Sequence, residues 1–362
     1  MLSVQFHHFP SSIQHQIVRD MNLRELVKFS FCSMKTLKAV KSAEIPVLKL
    51  TGFLDKSRLY MEVRNSSDNK YQVSINPDDK NSEYKKGPEY IGFEGLRMYD
   101  YTEEYTFGGV DHTGIVILSE GQDILETSDR LIGYLKDLFV SVRSSEWNLQ
   151  PAELKTPVIL KKHFPKMDYL NVTNTYSLDR FITKESLQFL LEEFEVRYDQ
   201  TIRCEAEEGY VYSKGFQSDF VNIFYPSWMH WDAIFNSTSE SIELCNVQNL
   251  FSGDLNRFFK LWVSNEKMQN LTRLGIYLEQ QDGLELPPDF LELVLEGIPN
   301  FHVEIEEGWD PARGQRMKRK ISRIDGTMAT VGLMKTIFWF EIEDEDEDED
   351  ETEDETDDEG IL

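Results

Sequence analysis

The first forty residues carry apolar side chains at the spacing of short helices. Ile13, Ile17, Val18 and Met21 fall on one side of a helix that starts near Pro10. Proline suits a first helical turn, because the N–H group that it lacks has no partner there. The pattern therefore predicts a helix with a single apolar stripe.

Two further short helices are predicted before residue 43. Asn22 and Ser33 are of the residue types that favour N-cap positions. The apolar residues of these two helices are Leu23, Leu26, Val27, Phe29, Leu37 and Val40. Three helices of this length bury too little surface to be stable alone. We therefore expect them to pack on the following domain or on a partner.

Residues 45–150 change to short alternating or β-branched runs, which predict a β-rich segment. The expected strands are 45–50, 59–64, 70–75, 90–99 and 115–118. The polar stretches 65–69 and 76–82 are typical of turns. Ser128 is predicted to start a helix with Leu131, Leu135 and Leu138 on one face.

From about residue 150 the pattern alternates between helix and strand. Helices are predicted at 152–163, 183–194, 227–235, 252–262 and 287–295, and strands at 168–172, 201–206, 241–245, 272–278 and 301–305. Thr183 and Ser252 suit N-caps, and Phe258, Phe259 and Trp262 are expected in the core. The strand centres are about 27 to 42 residues apart, which predicts a leucine-rich-repeat-like α/β solenoid. An ordinary layered α/β domain is the alternative. A closing strand is expected within 328–340.

The formal charge of −27 over 362 residues is concentrated at the carboxyl end. Between Glu341 and Glu359 every residue except Ile342, Thr352 and Thr356 is acidic, which makes 16 carboxylates. Without them the charge is −27 + 16 = −11. Like charges at this density repel and leave nothing apolar to bury, so the tail is predicted to be disordered. The remaining acidic body argues against nucleic-acid binding, which needs a basic surface.

One basic cluster interrupts this acidic balance near the end of the chain. Its members are Arg313, Arg316, Lys318, Arg319, Lys320 and Arg323. A solvated strand or loop face and a nuclear-import signal are both consistent with the pattern.

Cysteine usage and hydropathy indicate a reducing compartment and no membrane. Cys32, Cys204 and Cys245 are odd in number and far apart, so no disulfide framework is expected. No apolar run reaches the ~20 residues of a spanning helix, and none resembles a signal peptide. A cytoplasmic or nuclear location follows as an expectation.

No catalytic or cofactor motif was found in the sequence. There is no P-loop, GxGxxG, GxSxG or HExxH pattern. His7, His8 and His15 have no acidic or cysteine residue at ligand spacing, so no metal site is expected. His230 and Asp232 are predicted on a helix, where side chains at i and i+2 point apart and share no proton.

The amino-terminal residues resemble the F-box pattern. The resemblance is carried by Phe9, Pro10, Ile13, Ile17, Met21, Leu23, Leu26, Phe29, Ser30 and Ser33. Phe9 stands where the pattern usually has leucine, and Thr36 or Leu37 stands where its third helix carries an aromatic residue. The resemblance implies that these helices bind the Skp adaptor, through Phe9, Pro10, Ile13, Ile17, Met21, Leu23, Leu26 and Phe29.

The later part of the chain resembles the nematode family of F-box proteins with a type-two F-box-associated domain. The matching segments are 226–228, 241–246, 255–262 and 271–278. The predicted organisation is an F-box at 1–44, a β-rich segment at 45–150 packed on the next domain, an α/β domain at 151–340 and an acidic tail at 341–362.

The two resemblances together imply a non-catalytic substrate receptor of an SCF-type cullin–RING ubiquitin ligase, without a cofactor. The substrate is then an unknown protein. Exposed residues of the predicted strands, such as Asn171, Arg203, Glu243 and Tyr277, are candidates for binding it, although alternation alone leaves the outward side open. The alternative is a non-ligase interaction module whose acidic tail binds basic proteins.

Overall fold

The computed structural model describes most of the chain in two compact units, Met1–Ser239 and Glu240–Leu362. The described residues are 6–65, 70–76, 89–91, 97–104, 111–118, 122–139, 141–150, 154–173, 181–279, 286–287, 289–299, 301–302, 308–310 and 314–343. Both units mix helices with β-sheet. The acidic residues after Glu343, and with them the predicted disorder of the tail, lie outside the described residues.

The helices of the described chain are short. They are α1 Ser11–Asp20, α2 Leu23–Cys32, α3 Met34–Ser42, α4 Ile124–Leu138, α5 Lys155–His163, α6 Lys184–Glu193, α7 Trp231–Phe235, α8 Ser252–Val263 and α9 Phe290–Val294. Two 3-10 helices span Phe6–His8 and Pro226–Trp228.

Nineteen strands are described. They are β1 Pro46–Leu54, β2 Leu59–Arg64, β3 Lys70–Asn76, β4 Glu89–Ile91, β5 Arg97–Glu104, β6 Asp111–Leu118, β7 Ser141–Leu149, β8 Lys166–Thr173, β9 Phe181–Ile182, β10 Glu195–Arg203, β11 Glu205–Ala206, β12 Phe220–Phe224, β13 Ser241–Val247, β14 Arg273–Leu278, β15 Phe301–His302, β16 Gly308–Asp310, β17 Gly314–Ser322, β18 Met328–Met334 and β19 Ile337–Ile342.

The amino-terminal helices begin where the sequence places their caps. Asn22 accepts a hydrogen bond from the N–H of Glu25, whose carboxylate accepts one from the N–H of Asn22. Ser33 and Thr36 form the same reciprocal arrangement at α3. These capping boxes satisfy donors that a helix start leaves open. The predicted caps Asn22 and Ser33 are therefore confirmed, as is Thr183 at α6.

The first unit is built on one mixed sheet. Its strand order is β4-β5-β6-β3-β2-β1-β7-β8-β10-β12. The strands from β1 to β12 in this order are parallel to their neighbours, and β7, β8, β10 and β12 follow one another in chain order. Helices α5 and α6 connect successive parallel strands, as parallel pairing requires. β9 and β11 form a separate two-stranded sheet.

Burial distinguishes the two sides of this parallel region. Trp147, Leu170, Ile202 and Ile223 point to the buried side and are all less than 2% exposed. Apart from Thr173, the alternate positions of the same strands are half-buried or exposed. The period of two in a pleated strand explains this division. One face of the parallel region is therefore core, and the other is open to solvent.

The second unit closes its sheet with antiparallel strands. β13 and β14 are parallel, and β19, β18 and β17 continue the sheet by antiparallel pairing. β15 and β16 both pair with β17. Phe258 and Trp262 of α8 pack on Phe340 of β19, with ring centroids 5.5 and 5.0 Å apart. Phe258, Phe259 and Trp262 are fully buried, which confirms their predicted core position.

Predicted helix starts were wrong at α4, α8 and α9, and the last of these begins at Phe290 rather than at 287. α4 begins at Ile124 rather than Ser128, because Asp123 accepts hydrogen bonds from the N–H groups of Leu125 and Glu126. Ser128 lies inside the helix and is buried. At α8 the N-cap is Phe251, and it makes no side-chain capping bond. The N-cap predicted at Ser252 was therefore one residue late.

Several strands differ from their prediction. The single closing strand expected within 328–340 is a hairpin of β18 and β19 that turns at Lys335, whose φ is 44°. The turn lacks the Asn-Gly or Asp-Gly signal that marks such hairpins.

Other element boundaries also differ from the prediction. β10 begins at Glu195 rather than at 201, and the helix expected at 227–235 is a 3-10 turn followed by α7. β7, β12 and β17 were not predicted. The predicted positions 92–96 and 303–305 lie outside the described residues.

Candidate binding surfaces

The apolar stripe of α1 faces outward. Val18 is the buried residue of this helix, whereas Ile13 is 44% exposed and Ile17 and Met21 are half-buried. Ile13, Ile17 and Met21 follow one another at intervals of four, so they line one side of the helix. A stripe of this kind, left in water on an otherwise folded unit, is typical of a surface that receives a partner.

The neighbouring aromatic residue on α2 is also accessible. Phe29 is half-buried, and its ring meets that of Phe6 edge-on at 4.9 Å. Phe9 is half-buried and Pro10 is exposed at the start of α1. We define the N-terminal apolar surface as Phe9, Pro10, Ile13, Ile17, Met21 and Phe29.

Two of the eight residues predicted to contact an adaptor lie inside the chain. Leu23 and Leu26 on α2 are 0% and 1% exposed. The helices are also held by polar contacts: His15 Nε2 and Ser42 Oγ are 2.8 Å apart, and Arg19 Nε donates to the carbonyl of Ala43. Leu23 and Leu26 therefore support the helices that carry the N-terminal apolar surface.

The second surface is the solvent side of the parallel strands in the first unit. We call it the open sheet face and define it by Lys49, Thr51, Phe53, Ser144, Glu146, Asn148, Tyr169, Asn171, Asp199, Thr201, Arg203, Phe220, Asn222 and Phe224. The register places Asn148, Asn171, Thr201 and Asn222 side by side in one row across four strands. A parallel row holds Glu146, Tyr169, Asp199 and Phe220.

The charged side chains of the open sheet face make contacts within the face. Lys49 Nζ lies 2.5 Å from a carboxylate oxygen of Glu146 and 5.6 Å from the ring centre of Tyr169. The guanidinium of Arg203 stacks at 4.7 Å on Phe224. Asp199 accepts a hydrogen bond from Thr201. Ion pairs at a surface contribute little stability, about 0–1 kcal/mol, so their main effect here is to hold side-chain positions.

The amides of Asn148 and Asn171 form the centre of this face. Nδ2 of Asn171 donates to Oδ1 of Asn148 at 2.8 Å. Oδ1 of Asn171 is buried and has no donor among the described residues, and no described residue accepts from Nδ2 of Asn148. A buried acceptor without a partner costs about 1–3 kcal/mol. The pair therefore has hydrogen-bonding capacity that its own bond does not use.

The four strand residues proposed from the sequence all lie away from the core. Asn171 and Arg203 belong to the open sheet face of the first unit. Glu243 and Tyr277 are half-buried on β13 and β14 of the second unit, where Glu243 pairs with Arg273 at 3.4 Å. Sequence reasoning missed Asn148 and Phe220, because β7 and β12 were not predicted. Tyr169 could have been found from the alternation within β8.

A cavity of about 800 Å³ opens where β7, β8 and β10 begin. Lys166 and Glu195 on its wall pair at 2.6 Å, and Asp168 accepts the N–H of Ser145 at 3.0 Å. His163, also on its wall, lies 2.6 Å from Asp129. Burial raises the pKa of Asp129, but hydrogen bonds from Lys162 and His163 outweigh it and lower the pKa below its usual value. The charges on the cavity wall thus hold neighbouring elements together.

His230 and Asp232 depart from the sequence expectation. Nδ1 of His230 lies 3.2 Å from Oδ2 of Asp232, so the two side chains do meet. The prediction that the side chains point apart was wrong because His230 is the N-cap of α7, and its extended backbone lets the ring accept from the N–H of Asp232. Both side chains are exposed, and the arrangement caps a short helix.

Other chemical candidates remain dispersed in the structure. Among the described residues no group of three or more His, Cys, Asp or Glu side chains could hold a metal ion. The three cysteines form no disulfide, and burial raises the pKa of the Cys204 thiol to about 12. Within the described chain, no helix combines the length and the apolar character that crossing a membrane requires.

The basic cluster is partly internal. Arg319 is 8% exposed and donates to Glu292 on α9 at 2.8 Å. Arg323 pairs with Asp325, and Lys320 lies 3.4 Å from Glu343. Arg313 and the side chain of Arg316 lie outside the described residues. Among the described members of the cluster, Arg319 faces the core and is therefore not available to an import signal.

The segment that begins near residue 213 has its own aromatic core. Trp228 is 2% exposed, its ring centre lies 6.4 Å from that of Tyr212, and its Nε1 donates to the carbonyl of Cys204. Gly215 has no room for a Cβ, because one would overlap the backbone of Asn236. These contacts fix the turn before α7.

Comparison with known families identifies this segment. A family model described as F-box associated matches residues 213–276. The match runs from β12 through α7, β13 and α8 into β14, and it includes both Trp228 and Trp262. The chain thus contains an F-box-associated domain. No curated protein and no solved structure matches the chain.

Proposed function

We propose that the chain is a substrate-recognition subunit of an SCF-type cullin–RING ubiquitin ligase. The F-box-associated domain at residues 213–276 carries this proposal, because at the family level such domains point to substrate recognition within SCF complexes. In this scheme the amino-terminal helices act as the F-box. The chain is then a member of the nematode family of F-box proteins.

The N-terminal apolar surface is the proposed docking site for the Skp adaptor, which links the chain to the cullin and RING subunits. Ile13, Ile17 and Met21 are accessible to a partner helix, and burial of an amphipathic stripe in an apolar groove is a common mode of protein recognition. Leu23 and Leu26 are buried and hold α2 in place, so they support adaptor binding without touching the adaptor.

The remaining chain is proposed to hold a protein substrate on a leucine-rich-repeat-like α/β scaffold. The chain order of β7, β8, β10 and β12, with helices between the first three of these strands, supports this assignment. The receptor itself performs no chemistry and uses no cofactor. Ubiquitin transfer is then accelerated by proximity, since a bound substrate lysine is held near the charged conjugating enzyme.

Such a receptor works in the cytoplasm, the nucleus or both, with no nucleic acid or membrane as partner. The acidic tail is a solvating extension in this scheme. In the alternative interaction-module scheme the tail is the binding element. Deletion of 344–362 distinguishes these schemes, because it leaves adaptor binding unchanged in the first and abolishes partner binding in the second.

Adaptor binding is tested by co-expression of the full-length chain with the Skp adaptor and affinity purification. The double variant Ile13→Asp, Ile17→Asp is expected to lose the adaptor, because two carboxylates would have to be buried in an apolar interface. Ser12→Asp is the matched control, since residue 12 is exposed on another side of α1. Unchanged adaptor recovery in the double variant, with a circular dichroism spectrum like the wild type, would refute the assignment.

A further inference from the structure

The open sheet face has the features of a built recognition surface. It combines exposed aromatic rings, Tyr169 at 38% and Phe220 at 52%, with a row of amide and hydroxyl side chains. Soluble monomers rarely leave such a face without a function. The opposite side of the same strands is core, so the backbone that carries the row is rigid.

The charge of this face distinguishes between classes of ligand. Lys49 and Arg203 are balanced by Glu146 and Asp199, which gives 2 − 2 = 0. The whole chain carries −27. A densely charged ligand gains no electrostatic attraction from a neutral face, and an acidic ligand is repelled by the rest of the molecule. The charge of −27 attracts basic ligands to the molecule as a whole, but the neutral face offers them no charged partner, so the face itself matches a ligand segment that is uncharged.

The row of polar side chains matches the groups of a peptide backbone. The unbonded atom of Asn171 is buried, but rotation of both amides of the Asn148–Asn171 pair exchanges donor and acceptor, so the outward group of Asn148 can be either an NH₂ group or an oxygen. Peptide N–H and C=O groups are the complements of these. Four strands about 4.8 Å apart place the row over about 14 Å, which corresponds to about four to five residues of an extended chain.

We propose that the open sheet face binds a short, extended and uncharged polypeptide segment that runs across the parallel strands. Asn148, at the centre of the amide row, receives its backbone, and Tyr169 and Phe220 receive its apolar side chains. That the ligand is a protein rests on the proposed function. The inference adds which kind of substrate segment the receptor recognises.

The test uses random dodecapeptides displayed on phage and selected on the immobilised full-length chain. Enriched sequences are expected to contain aromatic or aliphatic residues and few charged ones. Synthetic peptides of these sequences, measured by fluorescence anisotropy, are expected to bind Tyr169→Ala and Phe220→Ala at least about tenfold more weakly than the wild type.

Phe181→Ala is the matched control. Phe181 is 57% exposed but belongs to the separate two-stranded sheet, so its removal is expected to leave peptide affinity unchanged. Phe220 is similarly exposed, so its loss is expected to leave the fold intact. The proposal would be overturned if the selected peptides bound Tyr169→Ala and Phe220→Ala as tightly as the wild type. It would also be overturned if the selection enriched acidic or basic sequences, or enriched no sequence.

Two further measurements separate this inference from the proposed function. The Ile13→Asp, Ile17→Asp variant is expected to bind the selected peptides normally, so a failure of the adaptor experiment leaves the peptide result standing. A normal adaptor result without peptide binding rejects only the present inference. Binding of neutral oligosaccharides, in place of peptides, that is lost in Tyr169→Ala would reassign the face to carbohydrate.

Discussion

The indole of Trp147 lies directly over the backbone of Gly52, its neighbour on the parallel strand β1. Any Cβ at position 52 would overlap the six-membered ring of Trp147. Trp147 is fully buried and also contacts Phe164, with ring centroids 5.1 Å apart. The ring is therefore held between Phe164 and β1, and it can lie this close to β1 because residue 52 has no side chain.

Gly52→Ala is expected to lower the free energy of unfolding by about 1–3 kcal/mol, because overpacking forces shifts of the ring and the backbone. Urea unfolding followed by tryptophan fluorescence measures this loss. Gly253→Ala is the control, since a Cβ there meets nothing within 4 Å inside α8. It is expected to keep or raise stability, and equal losses in both variants would contradict the packing argument.

Leu26 and Ile13 are expected to respond differently to truncation, although both are apolar residues of the amino-terminal helices. Leu26→Ala removes a buried side chain and should cost about 2–5 kcal/mol of unfolding free energy. Ile13→Ala removes a side chain that is 44% exposed and should stay within about 0.5 kcal/mol of the wild type. Thermal unfolding of the two variants would show comparable losses if the stripe of α1 were buried within the chain.

The stability of the fold is expected to depend on the ion pair between Arg319 and Glu292. Glu292→Gln leaves a buried guanidinium without its carboxylate and should lower the unfolding free energy by about 1–3 kcal/mol. Glu296→Gln changes an exposed residue just beyond α9 and should have little effect.

A double-mutant cycle with Arg319→Met isolates the interaction between the two side chains. The double variant is expected to be more stable than the sum of the single losses predicts. Strict additivity would show that Arg319 is buried for reasons other than this pair.

The contribution of Asp129 to stability is expected to vanish in acid. Its folded-state pKa lies below 3.8, because hydrogen bonds from Lys162 and His163 outweigh the effect of burial. A depressed carboxyl pKa stabilises the fold above pH 3.8, and this stability is lost as the pH falls through the lower folded-state pKa. The difference in unfolding free energy between wild type and Asp129→Asn should therefore shrink between pH 7 and pH 3. A difference that is constant over this range would exclude the carboxylate as its source.

Local signals in the sequence predicted much of the secondary structure. The caps at Asn22 and Ser33 need only residues within the same helix, so no distant contact could alter them. β7 was missed because 141–149 is rich in serine and charged residues, and it becomes a strand only between β1 and β8. Asp123 was overlooked as a cap because Ser128, also a capping residue type, lies closer to the apolar run.

The candidate surfaces could not be predicted from the periodicity of the sequence alone. A period of two in β8 separates Leu170 from Asn171, but only packing on one side of the sheet decides which of them meets water. The neutral charge of the open sheet face likewise depends on register, which brings Lys49 of β1 beside Glu146 of β7 across about a hundred residues of chain.

By itself, the sequence determined the three amino-terminal helices, their caps, the α/β alternation and the segment that the F-box-associated family model matches. These features depend on neighbouring residues, whose spacing is set by covalent geometry. Only the tertiary structure decided that Leu26 is core while Ile13 is exposed, and that Asn148 and Asn171 meet on an open face. Burial is a property of what packs against a residue, and those partners are distant in the chain.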